Sequence, residues 1–416
     1  MFSKLTINSV VFLLLTAFTV AVAIYFRNPL LVYTAVFMVV TNAVLFIWAQ
    51  YSVRGMSVVR RHPSSGMATH SLTVELDLTN HKPPDRYGTL GFDLHRELTP
   101  GQDYTPTAFL VAPAGITVSA EYQVTPPRRG QFKLGPFYLY GGDPFGFYKC
   151  WRKVEEVTEI TIVPNPVAFS FTRPASASLL KQDELETVAV AGDSTEFMGV
   201  REYMEGESLR RIHWPTTARL GKLISRQYEL NVAASISALV MVDEQMRLGS
   251  IVENPLEYSL RMVAGLGHAT CVERYHLSYL ALKGTDYDTL AGSGHSFYQE
   301  LSLYLARLAG AGPIAWSSQA KLILNYLPAN SCLIVFCAEL SEATKQHFTR
   351  LAARFRSLAV VTFDRKSFEV ERRISAPGPR MSFGEGYLSF EVQYGDDLSR
   401  VLGQVLARTS MIRSQV

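Results

Sequence analysis

The chain has 416 residues, 48% hydrophobic and 19% charged, and a net charge of +3. That length accommodates two or three domains with cores of their own, and so small a charge without a long basic run excludes nucleic acid as a partner. Cys150, Cys271, Cys332 and Cys337 form no C-x-x-C pair and have no histidines at finger spacing, which excludes a zinc finger and reads as buried free thiols in a reducing compartment.

Residues 10–26 and 30–49 are apolar and free of charge. At about 1.5 Å per residue they reach roughly 25 and 30 Å, enough to cross a hydrocarbon core. Arg27, Asn28 and Pro29 form the turn between them. Ala21-Val22-Ala23 looks like a signal-peptide cleavage site, but the second span that follows at once favours a transmembrane helical hairpin over residues 1–52. Lys4 on one flank and Arg54, Arg60 and Arg61 on the other outnumber Arg27 in the turn, so the soluble bulk is expected on the cytoplasmic side.

From residue 71 the pattern alternates, with Leu72, Val74, Leu76 and Leu78 facing one way and Thr73, Glu75, Asp77 and Thr79 the other. That is a half-buried antiparallel strand. Further strands over 116–124, 137–140 and 159–163, separated by proline- and glycine-rich turns, predict a β-sandwich over 53–166. Arg128-Arg129-Gly130-Gln131-Phe132 and the Asp143 to Tyr148 segment read as tight turns with a packing role or as a partner-contact surface.

A signature segment occupies residues 167–230. Its richest stretch, 196–229, surrounds His213 and Trp214 with Arg201, Arg210, Arg211, Arg219, Lys222 and Arg226 and with Glu202, Glu205, Glu207 and Glu229. The mixture suits a strap around a folded domain, with Trp214 as a buried anchor and guanidinium groups in planar ion pairs. The arginines are read as a structural ion-pair network, or else as an anion site. His213 is read as a neutral structural or partner-facing residue, with general-base chemistry as the alternative.

Over 231–416 the period changes. Buried strands over 235–242, 276–282, 333–337, 359–363 and 388–392 alternate with helices over 255–271, 296–308, from Ser341, and over 397–408. The alternation predicts an α/β doubly wound sheet. Catalytic templates fail: Gly221-Lys222 lacks the rest of a phosphate loop, Gly310 to Ala315 follows a helix and reads as a helix stop, and no H-E-x-x-H occurs.

Gly199, Arg201, Glu202, Tyr203, Gly206, Glu207, Arg210, Ile212, Trp214, Ala218, Arg219, Gly221, Lys222 and Leu223 reproduce a G-x-R-E-Y-x-x-G-[DE]-x-x-R-x-I-x-W-x-x-x-A-R-x-G-[KR]-L pattern. In this the chain resembles the bacterial membrane-protein family called domain of unknown function 58. The R-R-G-x-F and D-P-F-G pairs upstream fit the same resemblance. It implies a von Willebrand factor A-like C-terminal domain, a place in the bacterial cytoplasmic membrane, and a MoxR-type AAA+ ATPase as partner. The expected role is therefore a membrane-anchored adaptor with no cofactor and no catalytic residue. The alternative is a hydrolase acting on an anionic substrate at the Arg/His cluster. The D-x-S-x-S metal motif of von Willebrand A domains would fall on Asp243, Gln245 and Arg247. Only the aspartate is a ligand of the right kind, so the site reads as degenerate.

Overall fold

A computed structural model describes the chain except residues 1, 6, 84, 170–194, 204–211, 231–233, 274, 310–311, 313–315, 375–377 and 410–416. It divides into two compact units, 1–165 with 302–309, and 166–301 with 310–416.

The first unit begins with β1 (Phe2–Leu5), then α1 (Ile7–Phe26) and α2 (Pro29–Ser52). The two helices, of 20 and 24 residues, are long and apolar enough to cross a membrane and extend slightly beyond the expected spans. Asn28 caps α2 by accepting from the Leu30 backbone N–H at 2.9 Å, and Pro29 follows at the first helical position. Large apolar side chains such as Leu14, Phe18, Val36 and Phe37 stay exposed along both helices. A buried polar bridge joins them, from Asn42 Nδ2 to Thr16 Oγ1 at 2.8 Å.

The strands of this unit are β2 (Met56–Arg61), β3 (Ser65–Met67), β4 (Leu72–Asn80), β5 (Arg86–Leu94), β6 (Tyr104–Ala112), β7 (Thr117–Val124), β8 (Gly130–Leu134), β9 (Phe137–Gly142), β10 (Tyr148–Val154) and β11 (Thr158–Val163). They form sheets ordered β1-β10-β9-β5-β6, β3-β11-β8 and β2-β4-β7. Val74, Leu76 and Leu78 of β4, Leu134 of β8, Phe137 and Leu139 of β9 and Ile160 and Ile162 of β11 share one buried core. The alternation read from β4 is thus the pattern of a strand with one face in that core. Strands β5 and β6 lack such a pattern, having two glycines in one and Pro106 in the other. Pro106 is accommodated because β6 is an edge strand.

Arg60 overturns one expectation. It does not flank the membrane with a free charge. Its side chain is buried in the β domain, where Nε donates to Asp93 Oδ2 at 2.7 Å and Nη2 completes a bidentate pair on Oδ1. Nη1 donates to the carbonyls of Leu134 and Glu156, both at 3.2 Å, and the Tyr122 hydroxyl donates to Asp93 at 2.6 Å. Burial pulls the Arg60 pKa down, but the hydrogen bond and charge of Asp93 outweigh it and raise the value overall. Arg61 is exposed and pairs with Asp77 at 2.9 Å.

The second unit contains β12 (Thr195–Glu202), α3 (Trp214–Leu220), β13 (Ile224–Leu230), β14 (Ala234–Met241), α4 (Pro255–Ala269), β15 (Tyr275–Lys283), β16 (Asp286–Gly292), α5 (Gly294–Arg307, its last turn grouped with the first unit), α6 (Trp316–Tyr326), β17 (Cys332–Phe336), α7 (Glu342–Ala352), β18 (Ser357–Phe363), α8 (Arg365–Glu369), β19 (Arg380–Phe383), β20 (Leu388–Val392) and α9 (Leu398–Thr409). Seven strands form one sheet, ordered β16-β15-β14-β17-β18-β20-β19. The inner five are parallel, and β16 and β19 are antiparallel edges. Leu239, Leu280, Val335 and Val360 pack on one face with Ile323 of α6 and Phe348 and Leu351 of α7. The intervening residues Ala238 and Val240, also fully buried, point to the other face, the side of α4 and α9. Asn254 caps α4 through the Glu257 N–H at 2.9 Å, and Ser341 caps α7 through the Thr344 N–H at 3.2 Å. The expected helix stop at Gly310 to Ala315 falls largely outside the described residues; α5 ends at Arg307.

Candidate functional site

The signature is built as an antiparallel hairpin, β12 against β13, with α3 inserted before the return strand. Periodicity did not announce it, because charges at Arg201, Glu202, Arg226 and Glu229 interrupt the apolar pattern of both strands. Gly199 lies at a register shift, pairing with Gln227 while Phe197 pairs with Tyr228. The extra residue makes a bulge, where a missing Cβ is useful. Arg201 and Glu202 pair with Ser225 and Ile224 in the ladder. The Tyr203 N–H donates to the Leu223 carbonyl at 2.9 Å and the His213 N–H to that of Ile224 at 2.8 Å, closing the hairpin at its root. Gly206, Glu207, Arg210 and Arg211 lie outside the described residues, and with them most of the expected ion-pair network.

His213 is the N-cap of α3. Its Nδ1 faces the Thr216 backbone N–H at 3.4 Å and the Thr216 hydroxyl at 2.7 Å. A cap of this kind satisfies donors that a helix start leaves unpaired. Thr217 extends the same logic, its hydroxyl accepting from the Ile224 N–H at 3.0 Å. Gly221 ends the helix in the left-handed region at φ 65°, and its N–H donates to the Thr217 carbonyl at 2.9 Å. Open space surrounds the position a Cβ would take, so glycine is needed for its backbone conformation alone.

Trp214 corrects the expectation of a buried anchor: it is 62% exposed. None of the side chains of α3 is buried, and Ala218, Arg219 and Lys222 are all exposed. Leu220 at 55% and Leu223 at 45% lie exposed in the same short stretch. Only Ile212 and Ile224, at either side of the helix, are buried. The buried pair fixes the base of the turn, and the exposed tryptophan, leucines and basic residues form its outer surface. Sequence reasoning passed over Leu220 and took Leu223 only as part of the pattern, and the one available signal was that seven residues are too few to bury both faces of a helix.

The other candidate lies at the C-terminal edge of the parallel sheet, where strand order reverses between β14 and β17 and where ligands of open α/β sheets bind. Asp243 is there, half-buried. Its Oδ1 accepts from the Met246 N–H at 2.9 Å and so caps the short turn Gln245–Arg247. Burial raises the Asp243 pKa above the ordinary carboxyl value, against the backbone hydrogen bonds that lower it. Burial and the neighbouring Asp243 charge push the fully buried Cys337 thiol up as well. Among the described residues no cluster of three or more His, Cys, Asp or Glu side chains is arranged to hold a metal ion. Along the β18–β20 side runs a cleft of about 430 Å³, lined by Glu339, Lys345, Arg380 and Glu391 among others. Two of its charges are paired, Arg380 with Glu391 at 3.5 Å and Lys345 with Glu342 at 2.6 Å.

A carboxyl whose folded pKa is raised contributes stability at pH values below its unfolded pKa and loses it as pH rises through the folded value. Asp243→Asn keeps the cap acceptor and removes the buried charge. The variant is therefore expected to melt at or above wild type at pH 7, the gain shrinking as pH falls into the carboxyl range. Thermal melts across that range, with and without Mg²⁺, check it. A wild-type melting temperature raised by Mg²⁺ and lost in Asp243→Asn would instead make Asp243 a ligand.

Residues 199–372 match the family model described as "Protein of unknown function DUF58". No curated protein matches the chain. Among solved structures, the chain is similar to the CARDB domain of a Pyrococcus furiosus protein, at 11% identity over 26% of this chain and 87% of that one, with a TM-score of 0.20. It is also similar to the PKD domain of an M14-like peptidase from a Thermoplasmatales archaeon, at 12% identity over 25% and 91%, TM-score 0.17. A beta-glucosidase from Listeria innocua matches at 11% identity over 26% and 16%, TM-score 0.17. From the bulge of β12 to just beyond α8, then, the chain matches the domain described as of unknown function DUF58.

Proposed function

We propose that the chain is a membrane-anchored, cytoplasm-facing interaction protein that works with a MoxR-type AAA+ ATPase and offers it the outer surface of the signature hairpin. The observation that carries this is α3. A helix with no buried side chain, bearing an exposed tryptophan between a rigid cap and a rigid stop, gains nothing for its own fold from that tryptophan. Exposed apolar surface marks interaction sites, and tryptophan and arginine, here Trp214 and Arg219, are the residue types enriched at interface hot spots. The strand order, with the first strand central and an antiparallel edge, supports reading the second unit as von Willebrand A-like, a fold suited to presenting loops at one sheet edge. The capping role of Asp243 supports a domain of this type that works without a metal. The hydrolase alternative rests on the 2.7 Å contact between His213 and Thr216, which the capping geometry already explains.

The anchor is the apolar hairpin. β1 pairs with β10 immediately before α1, and α2 runs directly into β2, so both ends of the hairpin meet the β domain and the Arg27 turn lies at the far end. With Arg60 and Arg61 occupied in ion pairs, Lys4 and Arg54 at the near end still outnumber Arg27, which supports the cytoplasmic orientation. The native protein is expected to resist alkaline carbonate extraction. In intact cells a membrane-impermeant maleimide should label Arg27→Cys and spare Arg54→Cys. The reverse labelling pattern would overturn the orientation, and extraction by carbonate would overturn the anchor.

A further inference from the structure

The loop from Asp143 to Tyr148 does more than turn the chain. The Asp143 carboxylate accepts from the Phe145 N–H at 2.9 Å and from the Tyr148 N–H, and Gly146 takes φ 75°. This bracing sends the aromatic side chains toward the apolar helices. The ring of Phe147 lies 4.8 Å from that of Phe12 on α1, and the ring of Tyr148 lies 5.6 Å from that of Phe46 on α2. The Tyr148 hydroxyl donates to Asn42 Oδ1 at 2.7 Å, and Asn42 in turn donates to Thr16. Phe145, 72% exposed, sits with its ring 6.5 Å from that of Phe147.

Depth follows from helix geometry. Helix α1 has 20 residues, so it must be immersed along nearly its whole length to cross a core of about 30 Å. Phe12 lies in the second turn of α1, about 8 Å from its start, and Asn42 about 15 Å from the end of α2. Side chains that touch these residues are at comparable depth. The polar atoms brought there, those of Tyr148, Asn42 and Thr16, satisfy one another, as apolar surroundings require.

We propose that this loop is a third membrane-embedded element, with Phe145 occupying the boundary between headgroups and acyl chains in the leaflet that faces the β domain. It rests on the reading of α1 and α2 as a spanning hairpin. The occupant is lipid, because the exposed ring of Phe145 is continuous through Phe147 and Phe12 with the exposed apolar surface of the hairpin. Aromatic residues at this level anchor proteins to the interface. The consequence is a β domain seated on the bilayer and held there by a braced loop.

The test uses full-length protein in phosphatidylcholine/phosphatidylglycerol liposomes, with an NBD fluorophore on Phe145→Cys, on Val36→Cys in the exposed mid-portion of α2, or on Lys366→Cys. Labelled wild type supplies the background from native thiols. The Phe145→Cys probe is expected to lose about half of its emission to lipids carrying a doxyl group near the headgroup, and little to aqueous iodide. Lys366→Cys should behave oppositely. Quenching of Phe145→Cys by iodide, with Val36→Cys still quenched by doxyl lipid, overturns the loop insertion and leaves the hairpin standing. Failure of doxyl lipid to quench either Phe145→Cys or Val36→Cys overturns both.

Discussion

Asp93→Ala is expected to destabilise the β domain by about 3–5 kcal/mol, the usual cost of stranding one member of a buried ion pair. For a unit of this size that corresponds to a melting temperature lower by roughly 10 °C or more. Asp93 is fully buried and holds both the Arg60 guanidinium and the Tyr122 hydroxyl. Its removal leaves a buried cation with only backbone carbonyls and the Thr158 hydroxyl as partners. Arg60→Met should be nearly as damaging, since it leaves a buried carboxylate. The double variant Arg60→Met, Asp93→Leu should lose much less than the sum of the two, because the stranded charge disappears. It should still fall short of wild type, because Tyr122 and the Leu134 and Glu156 carbonyls lose partners. Thermal melts of the detergent-solubilised protein would measure this cycle. Additive losses would show that the pair is not coupled as the geometry requires.

Trp214→Ala is expected to do the opposite: almost nothing to stability and a great deal to binding. A side chain 62% exposed on a helix without buried residues leaves no cavity when truncated, so the melting temperature should hold to within the small effects typical of surface positions. Affinity for the ATPase should fall by at least about 2 kcal/mol, roughly thirtyfold, if the ring is the centre of the contact. Arg219→Glu should weaken binding as well, and more at low salt, because an exposed charge acts through screened electrostatics. His213→Gln should be milder than either, since only the cap of α3 is at stake.

What could be read from the sequence divides along physical lines. Periods of two and of near-continuous apolar residues located β4, β7, β9, β11 and the inner strands of the large sheet, because each buries a face or two in a core. The starts of α4 and α7, read at residues 255 and 341, were legible because the chemistry of a first-turn proline and of a capping serine is local. Arg60 was not, since its partner lies 33 residues away and a basic residue beside a hydrophobic span has a ready explanation in the membrane. β1 was too short to show a period, and its place is set by its pairing with β10. Trp214 reads as buried because tryptophan ordinarily is, and the shortness of α3 is the one signal against that reading. The glycines of the signature were legible only as members of the pattern, and the structure supplies reasons for two of them, a bulge beside Gly199 and a left-handed stop at Gly221.

The most direct measurement is the binding of a purified MoxR-type AAA+ ATPase from the same organism to proteoliposomes carrying the full-length chain, compared across wild type, Trp214→Ala and Lys366→Ala. The expected result is saturable binding to wild type and to Lys366→Ala, with Trp214→Ala weakened at least about thirtyfold while its melting temperature stays at the wild-type value. Undiminished binding of Trp214→Ala, or no binding to wild type at all, would contradict the assignment of the signature hairpin as the partner surface.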